Sequence, residues 1–445
     1  MTETNSFCIV AEEKNYTATN VTKRKRIERL QAPTTLNKEQ KYLFDKVADT
    51  HNFSPIFVTG SAGTGKSALL MTLRNYWRNQ GKTVFVAAYT HLASRNIDGK
   101  TCHSLFGFDF KLNLIDKKNI GIPDYIILDE ISMIPDKMLD GIDSRMRQVT
   151  REPQKPFGGV NTIVFGDLYQ LPPIEDKRDM TLPPYSADIW SVFKLYELKH
   201  NMRQTEAEYI KNLNLMRSGE ISCLKFFNTL VTKFSIGIED LLVHTSLVST
   251  HREADDINMQ CYIYNSEEKE EIILKSTSSL VSWNFYLNVF NTEQEKLIFR
   301  DSLKVCKGTR VMITHTTGDF CNGDLGIIDN ITDKGVMITR EHDNKNLFLS
   351  PICLNFYSNI KNTVKQVTGL PLTYGWAITI HKAQGMTIKN LIVFPKCLFA
   401  PGQAYVALSR CIHSNGLKLA DPVPVRSVQK MNNITNVYKN MELFI

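Results

Sequence analysis

The sequence predicts an α/β protein whose helices cover parallel sheets. Three observations carry this. An apolar run, PIFVT at 55–59, feeds the glycine-rich stretch GSAGTGKS at 60–67, and a helical pattern follows at 68–79. Further apolar runs at 83–88, 125–130 and 162–165 alternate with helical segments, the rhythm of βαβ units. Each run ends in polar or glycine residues, and in an open parallel sheet ligands collect at the C-terminal strand ends.

The stretch Gly60, Ser61, Ala62, Gly63, Thr64, Gly65, Lys66, Ser67 fits the phosphate-binding pattern G-x-x-x-x-G-K-[ST]. Glycines let the backbone turn tightly and bring bare N–H groups against phosphate oxygens. Lys66 is placed to reach the β and γ phosphates of ATP, and Ser67 to hold Mg²⁺ through its hydroxyl. The following helix carries Leu69, Leu70, Leu73 and Trp77 on one face and is stopped by Gly81. Its N-terminus adds partial positive charge at the same point.

The remaining elements follow in chain order. Residues 1–35 read as a flexible tail with the basic cluster Lys23, Arg24, Lys25, Arg26, which is a nuclear import signal, a phosphate patch or a solvated charge run. Asn37 with Gln40 three residues on is close to a capping box for the first helix. Gln40 is also a candidate to read the adenine edge, and one side chain is not expected to do both. Thr90 and His91 sit at the end of the 83–88 strand, as ligand contacts or as a helix cap and a loop histidine. Phe106, Phe108 and Phe110 form a short aromatic insert that could stack on bases but reads slightly better as a satellite core. The 125–130 strand ends in Asp129 and Glu130, suited to hold Mg²⁺ and to activate an attacking water. A charged helix is expected over 136–151. The 162–165 strand leads to GDLYQLPP at 166–173, where Gln170 is a candidate γ-phosphate sensor. Four strands by residue 199 make one complete nucleotide domain. Arg203 follows at the expected domain boundary. In the second half, strands are expected at 240–246 and 390–394, with a β-barrel-like insert near 282–367 between them. ITIHKAQG places polar and basic residues after an apolar run, and AYVALSR offers Arg410 on a short helix.

Composition narrows the classes. A chain of 445 residues with 42% hydrophobic residues suits two or three globular domains. The net charge of +7 permits nucleic-acid binding without requiring it. Nine scattered cysteines with no C-x-x-C pair argue against a zinc site or disulfide framework and for a reducing compartment. No run is long and apolar enough to span a bilayer, and no apolar signal core opens the chain. The localisation expected is nuclear if the basic cluster acts, otherwise cytoplasmic.

GSAGTGKS, LDEISM, GDLYQLPP, ITIHKAQG and AYVALSR, in this order, resemble motifs I, II, III, V and VI of superfamily I helicases. The stretch 136–173 is similar to the signature of the PIF family of DNA helicases, relatives of RecD and Dda. The likeness runs from about residue 36 to 416, and the compact size resembles versions carried by large DNA viruses, the baculovirus type among them.

The resemblance implies two RecA-like domains with parallel sheets. The first spans 36–199, with a small aromatic wedge insert near 104–120. The second spans 200–445, with an SH3-like β insert near 282–367. It implies ATP- and Mg²⁺-driven movement 5′-to-3′ along single-stranded DNA and unwinding of forked duplex DNA, in replication, repair or recombination. The motor unit would be a monomer, with no membrane and with replication proteins as further partners. Gln40 matches the adenine-reading glutamine. Lys66, Glu130, Gln170, Arg203 and Arg410 match the hydrolytic set, both arginines facing the γ-phosphate. Thr90, His91, His103, Phe106, Thr379, His381, Lys382 and Gln384 match DNA-contacting segments. Two other readings remain open at this level. One is a single-stranded nucleic-acid-binding protein with a vestigial nucleotide site. The other is a different phosphate-loop enzyme such as a small-molecule kinase, which leaves the later motifs unexplained.

Overall fold

The structure is a computed structural model describing residues 35–50, 53–109, 112–115, 120–173, 181–204, 206–232, 236–281, 289–358 and 363–445. The basic cluster at 23–26 and Phe110 lie outside the described residues.

The first half forms strands β1 (Ile56–Gly60), β2 (Val84–Ala88), β3 (Lys100–Thr101), β4 (Tyr125–Asp129), β5 (Asn161–Gly166) and β6 (Lys194–Leu198). They build one sheet in the order β3-β2-β4-β5-β1-β6, paired in parallel throughout. Helices α1 (Lys38–Val47), α2 (Lys66–Asn79), α3 (His91–Asn96), α4 (Cys102–Phe106) and α5 (Asp136–Thr150) accompany it.

Strand residues alternate between two cores, as the period of two requires. Ile56, Val58, Ile127, Ile163 and Phe165 pack with Leu43 of α1 and Leu69, Leu70, Leu73 and Trp77 of α2. Phe57, Ile126, Leu128 and Val164 pack with Met138, Leu139 and Ile142 of α5. Both faces are therefore covered, which explains why the strands read as unbroken apolar runs. The order sets β4, β5 and β1 side by side, so their three C-terminal ends adjoin.

Two strands add to the four expected. β3 has only two residues. β6 carries the half-exposed sequence KLYEL and pairs with β1, so the stretch expected to be a domain boundary begins as an edge strand.

A second parallel sheet orders strands Ala377–Thr379, Thr245–Val248, Leu391–Val393 and Leu417–Leu419, the last three paired in parallel. The strand expected at 240–246 is corrected here. Ile238–Val243 is a helix with Glu239 and Asp240 in its first turn, where acidic side chains suit the helix dipole. The strand is the buried TSLV that follows. After the second sheet the chain returns to the first. Helix Asn432–Asn440 lays Tyr438 against Phe57, with ring centroids 5.9 Å apart, and Leu443 bridges to Leu195 at the β6 edge.

The chain divides into two compact units. One holds 33–237, 243–251 and 378–445, and so contains both parallel sheets; the other holds 238–242 and 252–377. The second unit is mainly antiparallel. Its five-stranded sheet joins Lys345–Leu349, Gly335–Arg340, Leu325–Thr332, Arg310–Ile313 and Leu372–Tyr374 in that order. A four-stranded sheet includes Ile352–Ser358 and Thr363–Gly369. Among the described residues no helix is long and apolar enough to cross a membrane.

Candidate nucleotide site

The loop after β1 leaves the strand through three glycines. Gly63 and Gly65 hold φ of +91° and +79°, a region that L side chains rarely enter. Space forbids side chains as well. A Cβ on Gly63 would lie 2.5 Å from Gln204 Oε1, and one on Gly65 would lie 2.4 Å from Gln40 Nε2. The segment after β6 holds the loop from outside: Met202 N–H donates to Gly63 O at 2.7 Å and Asn201 Nδ2 to Ala62 O at 2.9 Å.

Gln40 performs two tasks through the two ends of its amide. Its Oε1 accepts from Asn37 N–H at 2.9 Å, completing the capping box. Its Nε2 donates to the carbonyls of Thr64 and Gly65, each at 3.2 Å. The side chain is buried behind the loop, and both ends are engaged with the protein rather than with the cleft.

A cleft of about 290 Å³ opens in front of the loop. Ala62, Gly63, Gly65, Lys66, Ser67, Ala68, Asp129, Glu130, Gln170, Met202, Arg203, Gly385 and Arg410 line it. The hydrolytic set expected from the sequence is thus gathered in one place, whereas Gln40 is not among the lining residues. Lys66 folds back to donate to the carbonyls of Gly60 (2.7 Å) and Ser61 (3.1 Å). Burial pushes its ammonium below the usual lysine range, opposed chiefly by Asp167 and Glu130. The Ser67 side chain favours the ionised form of the Asp129 carboxyl beside it. Burial, followed by the charge of Glu130, pushes the Asp129 carboxyl up to about 7.

Glu130 adopts φ +49° and ψ +49°, a left-handed conformation that costs a glutamate about 1–3 kcal/mol. The turn it makes is pressed against Gly166, whose Cβ would lie 2.7 Å from Ile131 Cγ2. Gln384 Nε2 reaches Glu130 Oε2 at 3.4 Å and Ser132 Oγ at 3.3 Å. Gln170 is buried, and its Oε1 has no hydrogen-bond partner.

The arginines come from separate elements. Arg203 follows β6. Arg410 caps helix Gln403–Ser409, whose start abuts the 166–173 loop so closely that a Cβ on Gly402 would lie 2.8 Å from Tyr169 O. Burial lowers both guanidinium pKa values, that of Arg410 to about 10. Among the described residues Arg410 bonds neutral acceptors alone: Val406 O at 2.9 Å, Ser409 Oγ at 3.0 Å and Met386 O at 3.4 Å.

Sequence reasoning missed the centre of this arrangement, Asp167. It is fully buried and takes a fork from Arg217, with Nε–Oδ2 3.0 Å and Nη2–Oδ1 2.9 Å. It also accepts from the Tyr405 hydroxyl at 3.1 Å. Its signal was the one that revealed Asp129, a carboxylate directly after an apolar strand.

The residues expected to touch DNA have mixed placements. Thr90 caps α3 through Ala93 N–H at 3.2 Å, and His91 is exposed at the start of that helix. His103 is half-buried, its ring 5.6 Å from that of Tyr89. His381 and Lys382 are half-buried; Thr379 and Gln384 are buried. Phe106 is fully buried, and Phe108 is nearly so, packed over Gly141. The satellite-core alternative describes them; neither ring offers a face to a base. The two candidate segments do meet, Asn96 Nδ2 lying 3.5 Å from Gly385 O.

Residues 35–225 match the family model of the PIF1-like helicases. An ATP-dependent DNA helicase Pif1 of Campylobacter jejuni is 27% identical over 90% of this chain and 96% of its own length. The ATP-dependent DNA helicase PIF1 of Emericella nidulans is 27% identical over 87% of this chain, which spans only 60% of that longer relative. A crystal structure of Bacteroides Pif1 helicase in complex with ADP-AlF3 and single-stranded DNA matches with a TM-score of 0.74 and 26% identity, covering 91% of this chain and 97% of that one. The phosphate loop, the strand-end carboxylates and the parallel sheets agree with these likenesses, which make the chain similar to the PIF1-like helicases over residues 35–225 by family model and over 90% of its length by the Campylobacter relative.

Proposed function

We propose that this chain is an ATP-dependent DNA helicase that turns over ATP in the cleft between its two parallel sheets. The observation that carries the reading is the presence of Arg203 and Arg410 in one cleft with Lys66, Ser67, Asp129, Glu130 and Gln170. Phosphoryl transfer to water needs positioning and charge stabilisation rather than covalent help. Glu130 takes the proton of the attacking water, and the unbonded Oε1 of Gln170 orients it. Lys66, Arg203 and Arg410 face the charge that spreads over the transferred phosphoryl group. Because the cations come from different elements, the site is complete only when those elements are packed together.

Ser67 and Asp129 suit a hard divalent cation. They are oxygen donors, and the carboxylate is held away from its ordinary pKa by burial beside a second carboxylate. They would hold Mg²⁺, which when bound neutralises phosphate charge. A monomer serves as the motor unit in this reading, as the family likeness implies.

His91, His103, His381 and Lys382 are the DNA contacts retained in the proposal. Thr90 and Thr379 support the turns that carry them. Backbone binding of this kind is salt-sensitive and blind to sequence. The 5′-to-3′ direction comes from family likeness. Nuclear import through the cluster at 23–26, and contact with replication proteins, accompany the proposal; moving a reporter fusion out of the nucleus by replacing the cluster would support the first.

The test is ATP turnover with and without single-stranded DNA, alongside strand displacement on forks with a 5′ or a 3′ overhang. Turnover should rise on adding DNA, and only the 5′-tailed fork should open. Lys66→Ala should retain its melting profile and lose DNA-stimulated turnover. Full activity in that variant, or wild-type turnover indifferent to DNA, would remove the basis of the assignment.

A further inference from the structure

The helix that carries Arg410 touches the phosphate loop at a second point. Ala62 N–H donates to the Tyr405 hydroxyl oxygen at 2.7 Å, and that hydroxyl donates to Asp167 Oδ2 at 3.1 Å. Tyr405 is 2% exposed and Asp167 fully buried, so water does not substitute for either bond. Burial pushes the phenol well above its ordinary pKa, which keeps the O–H proton in place as a donor. Asp167 cannot swing away, because Arg217 grips both of its oxygens and Tyr169 N–H donates to Oδ1 at 3.2 Å. Arg217 in turn lies over the Tyr169 ring, 4.6 Å from its centroid.

The chemistry of the loop gives this contact its meaning. A phosphate-accepting loop works by directing backbone N–H groups at one anion, and its glycines leave it free to take other shapes. Tyr405 removes part of that freedom by fixing the peptide between Ser61 and Ala62. Tyr405 and Arg410 stand five residues apart at one short helix, so one docking event both shapes the loop and delivers the cation. We propose that Tyr405, oriented by Asp167, is a positioning residue that holds the phosphate loop in its nucleotide-accepting shape. Its role is thereby separate from that of Arg410: Tyr405 governs nucleotide binding, Arg410 governs the chemical step. This rests on the cleft being the ATP site, as proposed above.

Tyr405→Phe is the test, because it removes one oxygen and keeps the ring. The variant should bind ATP 5- to 30-fold more weakly by calorimetry without DNA, and KM should rise by the same factor. The turnover rate at saturating ATP should stay within threefold, and affinity for single-stranded DNA without nucleotide should be unchanged. Hydrogen exchange should quicken in the loop at 60–66 and not in β2. Unchanged ATP affinity, or a turnover loss at unchanged KM, would overturn the proposal. A wild-type Ala62 amide exchanging as fast as a free loop amide would overturn it with no variant needed. Failure of the functional reading looks different: the wild-type protein itself would bind no ATP.

Discussion

Arg410→Met separates what this arginine does for the reaction from what it costs the fold. Arg410 is 3% exposed, and among the described residues no carboxylate lies within ion-pairing distance of it. Burial first, then the neighbouring charge of Arg203, lowers its pKa from 12.5 to about 10. That fall corresponds to roughly 3 kcal/mol of unfavourable surroundings for the cation. The sign matters here. A cation whose folded pKa is depressed weakens the fold at every pH below the folded value, and only above about 10 is the penalty relieved as the group loses its proton. Methionine keeps most of the stem's volume, drops the charge and gives up bonds to neutral acceptors worth about 1 kcal/mol each. The two terms roughly cancel, so the nucleotide-free variant should lie within about 1 kcal/mol of wild type in stability. Activity should fall: a charge-stabilising arginine contributes about 10³- to 10⁵-fold to turnover. Denaturant melts of the nucleotide-free proteins and DNA-stimulated turnover at saturating ATP give the two readings. A variant that is clearly destabilised yet turns over within tenfold of wild type would refute the reasoning, since the arginine would then be a structural strut.

Two further outcomes follow from buried groups. With its carboxyl raised to about 7, Asp129 in the metal-free site holds a proton on roughly half the molecules at neutral pH. The penalty on the fold grows as pH rises from the ordinary value of 3.8 and levels off above about 7. Binding of Mg²⁺–nucleotide should release about half a proton per site at pH 7 and almost none at pH 9, seen by calorimetry in buffers of different ionisation enthalpy; Asp129→Asn should abolish the release. Phe106→Ala should cost about 3–5 kcal/mol of stability, because its ring is fully buried in the core under α4. At temperatures where the variant remains folded, its affinity for single-stranded DNA should match wild type, and a selective loss of DNA binding would restore the base-stacking reading.

The first sheet was legible because both of its faces are covered, which makes β1, β2, β4 and β5 unbroken apolar runs. β6 was hidden by its position: an edge strand with half-exposed alternation looks like a linker until its neighbour is known. At Ile238–Val243 the apolar residues suit either a strand or a helix, and the acidic first turn decided for the helix. Gln40 shows a limit of another kind. Reasoning by side chain set capping against reading the adenine edge, whereas the amide gives its oxygen to the cap and its nitrogen to the loop carbonyls. Phe106 fits either a base or a core by composition, and only the packing of α4 against β2 settles it, the Phe85 ring lying 6.3 Å away. Asp167 and Tyr405 could be read as motif letters but not as partners, because the bond joining them crosses 238 residues of chain.

The cleft gathers ionisable groups that the fold holds away from their ordinary pKa values. Lys66, Arg203 and Arg410 are each pushed down and Asp129 is pushed up, in every case with burial as the leading cause. These groups do not neutralise one another. Lys66 spends its donors on loop carbonyls, Arg410 on neutral oxygens, and Asp129 faces another carboxylate before any cation. An arrangement that merely stabilised the fold would pair them, as Asp167 and Arg217 are paired one layer below with a two-bond fork. The contrast between these neighbouring layers separates structure from function. The lower layer is satisfied, and through Tyr405 it is tied to Ala62 of the phosphate loop. Among the described residues the upper layer makes no salt bridge between its cations and Asp129, although Lys66 feels the charges of Asp167 and Glu130 and both arginines that of Glu130. A metal–triphosphate brings both signs of charge at that spacing, anionic oxygens for the three cations and a cation for Asp129, and so relieves in one binding event the penalties that burial imposed on all four.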